Sequence, residues 1–324
     1  MTDLTSDYLA LRREAGAVPL PRDVLRVAGP QAVSWLHSML SQDVESLAVG
    51  SSALSFVLQP QGKLVALVRV TRATEDEVLL DTDPGWGGRV VEHLARFKLR
   101  TKADLDALDW RSVALRGPGA REAAAATGAV GAAGGVAGGS SGTVAVVDAD
   151  WPGLPGVDLL GPDPAVPDGV RVCDPAAYEA VRIEAGVPVM GREADASTTP
   201  HELGLVDRAA SLTKGCYTGQ ELVARVDSRG GHAPRFLRGV LVAANVIPPV
   251  GATLHHPDTG DGTAPAGAGG KALGRITSVA ESLDRHAPVA LSLVARAVEP
   301  PADVEVVWDG GRAPARVEQL PLVS

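Results

Sequence analysis

Cysteine is almost missing from this 324-residue chain: there are two, Cys173 and Cys216. Two thiols make no disulfide framework, and neither sits in a Cys-x-x-Cys pair or a Cys/His cluster at zinc spacing. No protein-only metal site is therefore expected. Aromatics are also scarce, at 3%, so the core must be built of valine, leucine and alanine. No stretch reaches the roughly 18 apolar residues of a membrane helix, and the opening MTDLTSDYLALRREAG has no apolar signal block. Basic charge is in deficit, 30 Lys and Arg against 39 Asp and Glu, for a net charge of −9. Such a surface does not attract nucleic acid nonspecifically, although a local basic cleft is compatible with it. These absences describe a cytoplasmic protein with reduced thiols, no membrane association and no direct nucleic-acid partner.

What is present suffices for a sizeable core: 45% of residues are apolar, in a chain long enough for one large or two to three ordinary domains. Val24–Val27 alternates as a strand. Gly29-Pro30 then opens a helix with Val33, Leu36, Met39 and Leu40 on one stripe. ALSFVLQPQGKLVALVRVTRATEDEVLLDT reads as three strands joined by polar turns. GWGGRVVEHLARFKL is an amphipathic helix with Val90, Leu94 and Phe97 on one side, and ADLDALDWRSVALRG is a strand region. Residues from about 126 to 142 are Gly, Ala and Ser-rich, a flexible loop by composition. In CDPAAYEAVRIEAG, Asp174 suits an N-cap, Pro175 the first helical position and Gly186 the C-cap; Tyr178, Val181, Arg182 and Ala185 share a face. From Phe236 on, short strands are split by Gly/Pro loops, as in a small antiparallel β-barrel or sandwich. The expected division is residues 1–235, two α+β modules, and residues 236–324, the C-terminal β-barrel domain.

The chemically densest stretch is SLTKGCYTGQELVAR, residues 211–225. Thr218 and Glu221 have the spacing of a capping box, which predicts a helix from Gly219 to about Asp227. Cys216 then lies just before a helix N-terminus and two residues from Lys214; both features stabilise a thiolate. Gly215 and Gly219 let the backbone approach a ligand, and Tyr217 offers a ring and a hydroxyl. Such a loop can bind an anion, hold a thiolate ligand or present a nucleophile; the alternative is a tight turn with a buried, inert cysteine. Arg225 can pair with Glu221 one turn earlier. Glu184 is out of place in the last turn of its helix, where the macrodipole disfavours a carboxylate, and Arg182 cannot relieve it at i,i+2. It is either solvated or aimed at a ligand with paired N–H donors, such as an aminopyrimidine. Among the remaining candidates, His37, Cys173, His232, Lys63 and the pair His255-His256 read as structural or loop residues.

KGCYTGQE is very similar to the signature of the YgfZ group of folate-binding proteins, relatives of the T-protein, the aminomethyltransferase of the glycine cleavage system. YEAVRIEAGVPVMGRE, WLHSMLSQDVESL and QPQGKLVALVRV resemble further family segments, so the similarity covers most of residues 20 to 300. The resemblance implies an α+β fold of three modules around a central folate cavity, with a C-terminal antiparallel β-barrel. It implies tetrahydrofolate or a one-carbon derivative as cofactor. It assigns Glu184 to the pterin, Tyr178 to ring packing and Lys214 to the folate site, with Tyr217, Gln220 and Arg225 beside them, and Cys216 as the reactive residue. The implied role is an accessory one in iron–sulfur cluster assembly or repair, with iron–sulfur client or assembly proteins as partners and an indirect effect on tRNA modification. Where the T-protein has a Gly-Gly-x-x-Asp-Asp turn, this chain has Gln61-Gly62-Lys63, and only Asp81 and Asp83 are nearby candidates for an active-site aspartate. A folate-dependent aminomethyltransferase or demethylase is the enzymatic alternative, and a scaffold with a vestigial site the non-catalytic one.

Overall fold

A computed structural model describes residues 3–127, 130–131, 144–228, 230–257 and 271–323. The loop expected at about 126–142 lies almost entirely outside the described residues. Asp258, next to His255-His256, lies outside them as well.

Three sheets meet around the molecule's centre. The first runs β3-β4-β5-β2-β6, with β2 Asp23–Ala28, β3 Ser52–Leu58, β4 Leu64–Arg72, β5 Glu77–Thr82 and β6 Asp104–Leu108. Its core side is covered by α2, Ala32–Met39, and α3, Gly87–Lys98. Ala32, Trp35, Leu36 and Met39 are the buried residues of α2, the spacing of one helical face. On α3, Val90 and Leu94 are buried as expected, but Phe97 is exposed.

The second sheet runs β11-β1-β7-β10-β9-β8, formed by β1 Gly16–Leu20, β7 Arg111–Arg116, β8 Val130–Gly131, β9 Ala145–Asp148, β10 Gly156–Gly161 and β11 Arg171–Val172. The stretch read as a single strand region, ADLDALDWRSVALRG, divides between two sheets: β6 closes the first and β7 is central in the second. The N-terminal α1, Leu4–Arg13, packs on α5, Pro175–Ala185, while α4, Ala120–Ala126, packs on β7 and β10. The α5 signals act as read: the Asp174 side chain accepts from the Ala176 amide at 2.8 Å, and Gly186 closes the helix at φ 72°.

The third sheet is a closed barrel in the order β12-β15-β14-β13-β16-β17. Its strands are β12 Arg235–Val242, β13 Thr253–His255, β14 Gly274–Ser282, β15 Ala287–Ala295, β16 Ala302–Trp308 and β17 Gly311–Glu318. Closure leaves no open edge and encloses an apolar core led by Val240, Leu254, Ile276, Val306 and Val317. His255, read as part of a loop tip, is the last residue of β13 and bonds the Thr253 hydroxyl at 2.9 Å. Between α5 and the barrel lie a short 3-10 turn, Pro200–Leu203, and two short helices, α6 Val206–Ala209 and α7 Gln220–Asp227. Among the described residues no helix is long and apolar enough to cross a membrane.

Candidate functional site

A cavity of about 1400 Å³ opens where the three sheets meet. Strand periodicity aims side chains into it: Ser112, Ala114 and Arg116 of β7 line it, while Val113 and Leu115 between them belong to the core of the second sheet. Leu67 and Arg69 come from β4, and Leu237, Arg238, Thr277 and Ser278 from the barrel. The helix α5 presents Tyr178, Arg182 and Ala185, spaced along one helical face. Val181, grouped with them in the sequence reading, instead joins the cluster formed with α1.

Buried charge dominates the wall. Asp83, Arg22, Asp81, Arg69, Asp158 and Arg116 form one continuous row. Arg22 binds Asp83 at 2.7 Å and Asp81 at 2.6 Å; Arg69 binds Asp81 at 2.9 Å and Asp158 at 2.8 Å; Arg116 binds Asp158 at 2.8 Å. The row ties the first sheet to the second. Burial alone would raise the Asp158 carboxyl, but Arg116 and Arg69 outweigh it and hold the group down to about 2. The Arg116 guanidinium lies 4.4 Å from the Trp151 ring centroid and 5.6 Å from that of Tyr178. Arg116 is 2% exposed, and its Nε has no hydrogen-bond partner. A second cluster follows on α5: Arg182 binds both oxygens of Glu179, at 2.7 and 2.9 Å, and the Ser278 hydroxyl at 2.7 Å. Arg208 and Arg238 also line the cavity, yet among the described residues neither has a carboxylate within ion-pair distance. Arg238 rests on the Phe236 ring, 5.0 Å from its centroid, and burial pushes its guanidinium down.

Of the cofactor-binding and reactive residues expected from the sequence, only Tyr178 lines this cavity, joined by Asp83, one of the two candidate aspartates. Glu184 does not. It is 0% exposed and points to the interface of α1 with β14, accepting from the Tyr8 hydroxyl at 2.7 Å and from the Ser282 hydroxyl, with Arg12 Nε at 3.7 Å. The reason is helical geometry: residues two apart lie about 200° apart on the wheel, so a helix that aims Arg182 into the cavity aims Glu184 away. Burial raises the Glu184 carboxyl.

The other predicted residues gather around Cys216, outside the cavity wall. Cys216 is a free, exposed thiol. The Lys214 ammonium donates to the carbonyls of His37, Leu40 (2.6 Å) and Gln42 (2.8 Å), closing the C-terminal end of α2 rather than facing the cavity. Burial pushes this ammonium down to about 8. Tyr217 is buried among Phe56, Leu58, Leu64 and Val223, and Lys214 Nζ lies 5.0 Å from its ring centroid. Gln220 accepts from the Tyr217 amide at 3.4 Å, and Arg225 pairs with Glu221 on the exposed side of α7. Packing and local bonds thus occupy these four of the six side chains expected to bind the cofactor.

The expected capping box does not form either. Gly219 is the N-cap of α7, at φ 82°, and no side chain caps the helix. A Cβ there would meet the Gln59 carbonyl oxygen at 2.6 Å, so the turn between β3 and β4 requires glycine at this contact. A capping box is made instead by Thr199 and Glu202 at the 3-10 turn. Among the described residues no group of three or more His, Cys, Asp or Glu could hold a metal ion.

Sequence reasoning missed Arg22, Arg69, Arg116, Asp158 and Glu179. A signal did exist for three of them. Arg69, Arg116 and Asp158 interrupt otherwise apolar strand runs, and a charged residue there must be either exposed or paired.

Residues 8–131 match the family described as GCVT N-terminal domain. An uncharacterised protein of Haemophilus influenzae is 24% identical over 64% of this chain and 67% of its own length. The aminomethyltransferase of Streptomyces avermitilis is 26% identical over 97% of this chain and 88% of its own, and that of Bordetella petrii 28% over 98% and 87%. The crystal structure of the glycine cleavage system aminomethyltransferase T from Bartonella henselae superposes with a TM-score of 0.78 at 22% identity, covering 99% of this chain and 89% of that one. The chain has the GcvT-like fold. The family match and the aminomethyltransferase relatives together support its place in the GcvT-like superfamily.

Proposed function

We propose that the central cavity binds a reduced folate, tetrahydrofolate or a one-carbon derivative, and that the protein serves iron–sulfur cluster assembly or repair as a YgfZ-type accessory factor. Proteins of the superfamily use tetrahydrofolate, and the wall of this cavity suits one. Its volume of about 1400 Å³ accommodates a cofactor-sized ligand, since such sites run to about 300–1,000 Å³. Trp151 and Tyr178 offer aromatic faces, Glu179 a carboxylate for ring N–H donors, and Arg116 a buried Nε–H without an acceptor. Arg208 and Arg238, which have no carboxylate partner among the described residues, can take the carboxylates at the other end. Glu179 thus takes the pterin role first expected of Glu184. Bound folate would supply a one-carbon carrier; the chain's own part is to desolvate it, orient it and hold its charge.

The observation that carries the accessory role is the separation of Cys216 from the cavity. An exposed thiol beside a helix N-terminus, outside the folate wall, is available to a partner protein or its cluster. Gln61-Gly62-Lys63 stands where the transferase-type turn is Gly-Gly-x-x-Asp-Asp, and no Asp-Asp pair follows it in β4, which weakens aminomethyl transfer. That transfer, or a folate-dependent demethylation, is the second reading. The names of the relatives favour it, and Asp83 is the carboxylate it would use at the cavity wall. The two separate in a strain lacking the gene, scored by the activity of an iron–sulfur enzyme. The accessory role predicts rescue by Asp83→Asn and none by Cys216→Ser. The reverse pattern would favour the transferase.

A further inference from the structure

The far end of α3 carries a surface that neither the cavity nor the Cys216 loop uses. In the segment Arg96-Phe97-Lys98-Leu99-Arg100-Thr101-Lys102 every second residue is a cation, and no acidic residue stands between Glu92 and Asp104. The run is local, in a chain whose net charge is −9. Arg96 pairs with Glu92 one turn earlier. Lys98, Arg100 and Lys102 have no carboxylate within ion-pair distance among the described residues. Phe97 rests on the His93 ring, 5.2 Å between centroids, yet is 41% exposed, and Leu99 is 91% exposed. Leu99 also forms the C-cap of α3 at φ 32°, in the left-handed region that favours glycine. This leucine thus sits against both its burial preference and its backbone preference. The 12 residues of α3 span about 18 Å, so the tip stands well away from Asp83 and Pro84 at the cavity wall, and none of residues 96–102 lines the cavity.

We propose that this tip is a reversible docking site for an anionic lipid surface. A bilayer interface takes projecting apolar side chains such as Phe97 and Leu99 directly, whereas a protein partner would need a pocket shaped to them. The cations beside them meet the negative headgroups, and their apolar stems can lie along the interface. Charge complementarity here is local: a molecule at −9 is repelled by such a surface elsewhere, so the run at 96–102 also orients it. One patch of this size gives weak, reversible attachment and no stable anchoring. The expectation of no membrane association followed from the want of an apolar span, and docking on a surface needs none.

The test is co-sedimentation of the full-length protein with vesicles of phosphatidylglycerol and phosphatidylcholine in equal parts, and with vesicles of phosphatidylcholine alone. The expected result is binding to the mixed vesicles that weakens with added salt, and little or none to phosphatidylcholine. Each Lys or Arg at an anionic surface contributes about fivefold in partitioning, so the variant carrying Lys98→Gln and Arg100→Gln should bind roughly 25-fold more weakly. Leu99→Gly should lose about tenfold through the missing apolar side chain. Its melting temperature should stay at or above that of the wild type, because glycine relieves the positive φ; weaker binding is then not a folding defect. No binding to the mixed vesicles, equal binding to phosphatidylcholine alone, or binding that survives both variants overturns the inference. So does retention on soluble polyglutamate without vesicle binding, which would assign the tip to an acidic protein instead.

Discussion

The row from Asp83 to Arg116 on the cavity wall keeps its charged side chains paired and largely buried, whereas the loop around Cys216 buries its tyrosine and leaves its thiol in solvent. Each arrangement serves a different task. A row of ion pairs that joins two sheets cannot move one member without exposing the others, so it fixes the shape of a pocket before any ligand arrives. The loop is anchored from behind, by Lys214 on the α2 carbonyls and Tyr217 in its apolar cluster, which leaves Cys216 as the group it presents. On the proposed reading, binding and presentation fall to separate regions, and each should be breakable without the other.

The largest expected effect is on the cavity side. Asp158→Ala removes the one carboxylate partner of Arg116 and one of the two of Arg69, and truncating one partner of a buried pair costs about 3–5 kcal/mol. Chemical denaturation should read that loss, together with loss of ligand binding. Acid reaches the same row more gently. The folded Asp158 carboxyl lies at about 2, below its ordinary 3.8. A depressed acid contributes stability that is complete above the unfolded value and is lost as pH falls through the folded one. The wild type should thus lose roughly 2 kcal/mol between about pH 4 and pH 2, and Asp158→Ala should flatten that limb.

On the loop side, Lys214→Met leaves three carbonyls without their donor and should cost about 1–2 kcal/mol. Its folate affinity should match the wild type, and rescue of the iron–sulfur enzyme should fall as Cys216 loses its fixed position. Cys216→Ser should be the smallest perturbation, within about 0.5 kcal/mol in stability and neutral for binding, while abolishing rescue in cells. A folate affinity that dropped in either loop variant would mean that the two regions act as one site.

Much of the frame was legible because its signals are local. Asp174, Pro175 and Gly186 bound α5 by capping chemistry alone, and the short strands after Phe236 form the closed barrel. Residues 211–225 also stood out as a dense loop before a helix, although Gly219 rather than Thr218 caps it. That detail depends on the Gln59 carbonyl, which no local rule supplies. The cavity wall was largely hidden, since Arg116 and Asp158 meet only through the register of β7 against β10. The misplacement of Glu184 was avoidable: with Tyr178 and Arg182 on one face, the helical wheel turns Glu184 to the other side.

The central claim is that the cavity, and not the Cys216 loop, binds a reduced folate. The most direct measurement is calorimetric titration of tetrahydrofolate into wild type, Arg116→Met and Cys216→Ser. The account predicts saturable binding to wild type, equal affinity in Cys216→Ser, and a loss of at least about tenfold in Arg116→Met, the consequence of removing a charged contact of about 1.4 kcal/mol or more. Binding that survives Arg116→Met but vanishes in Cys216→Ser, or no binding at all to wild type, would contradict it.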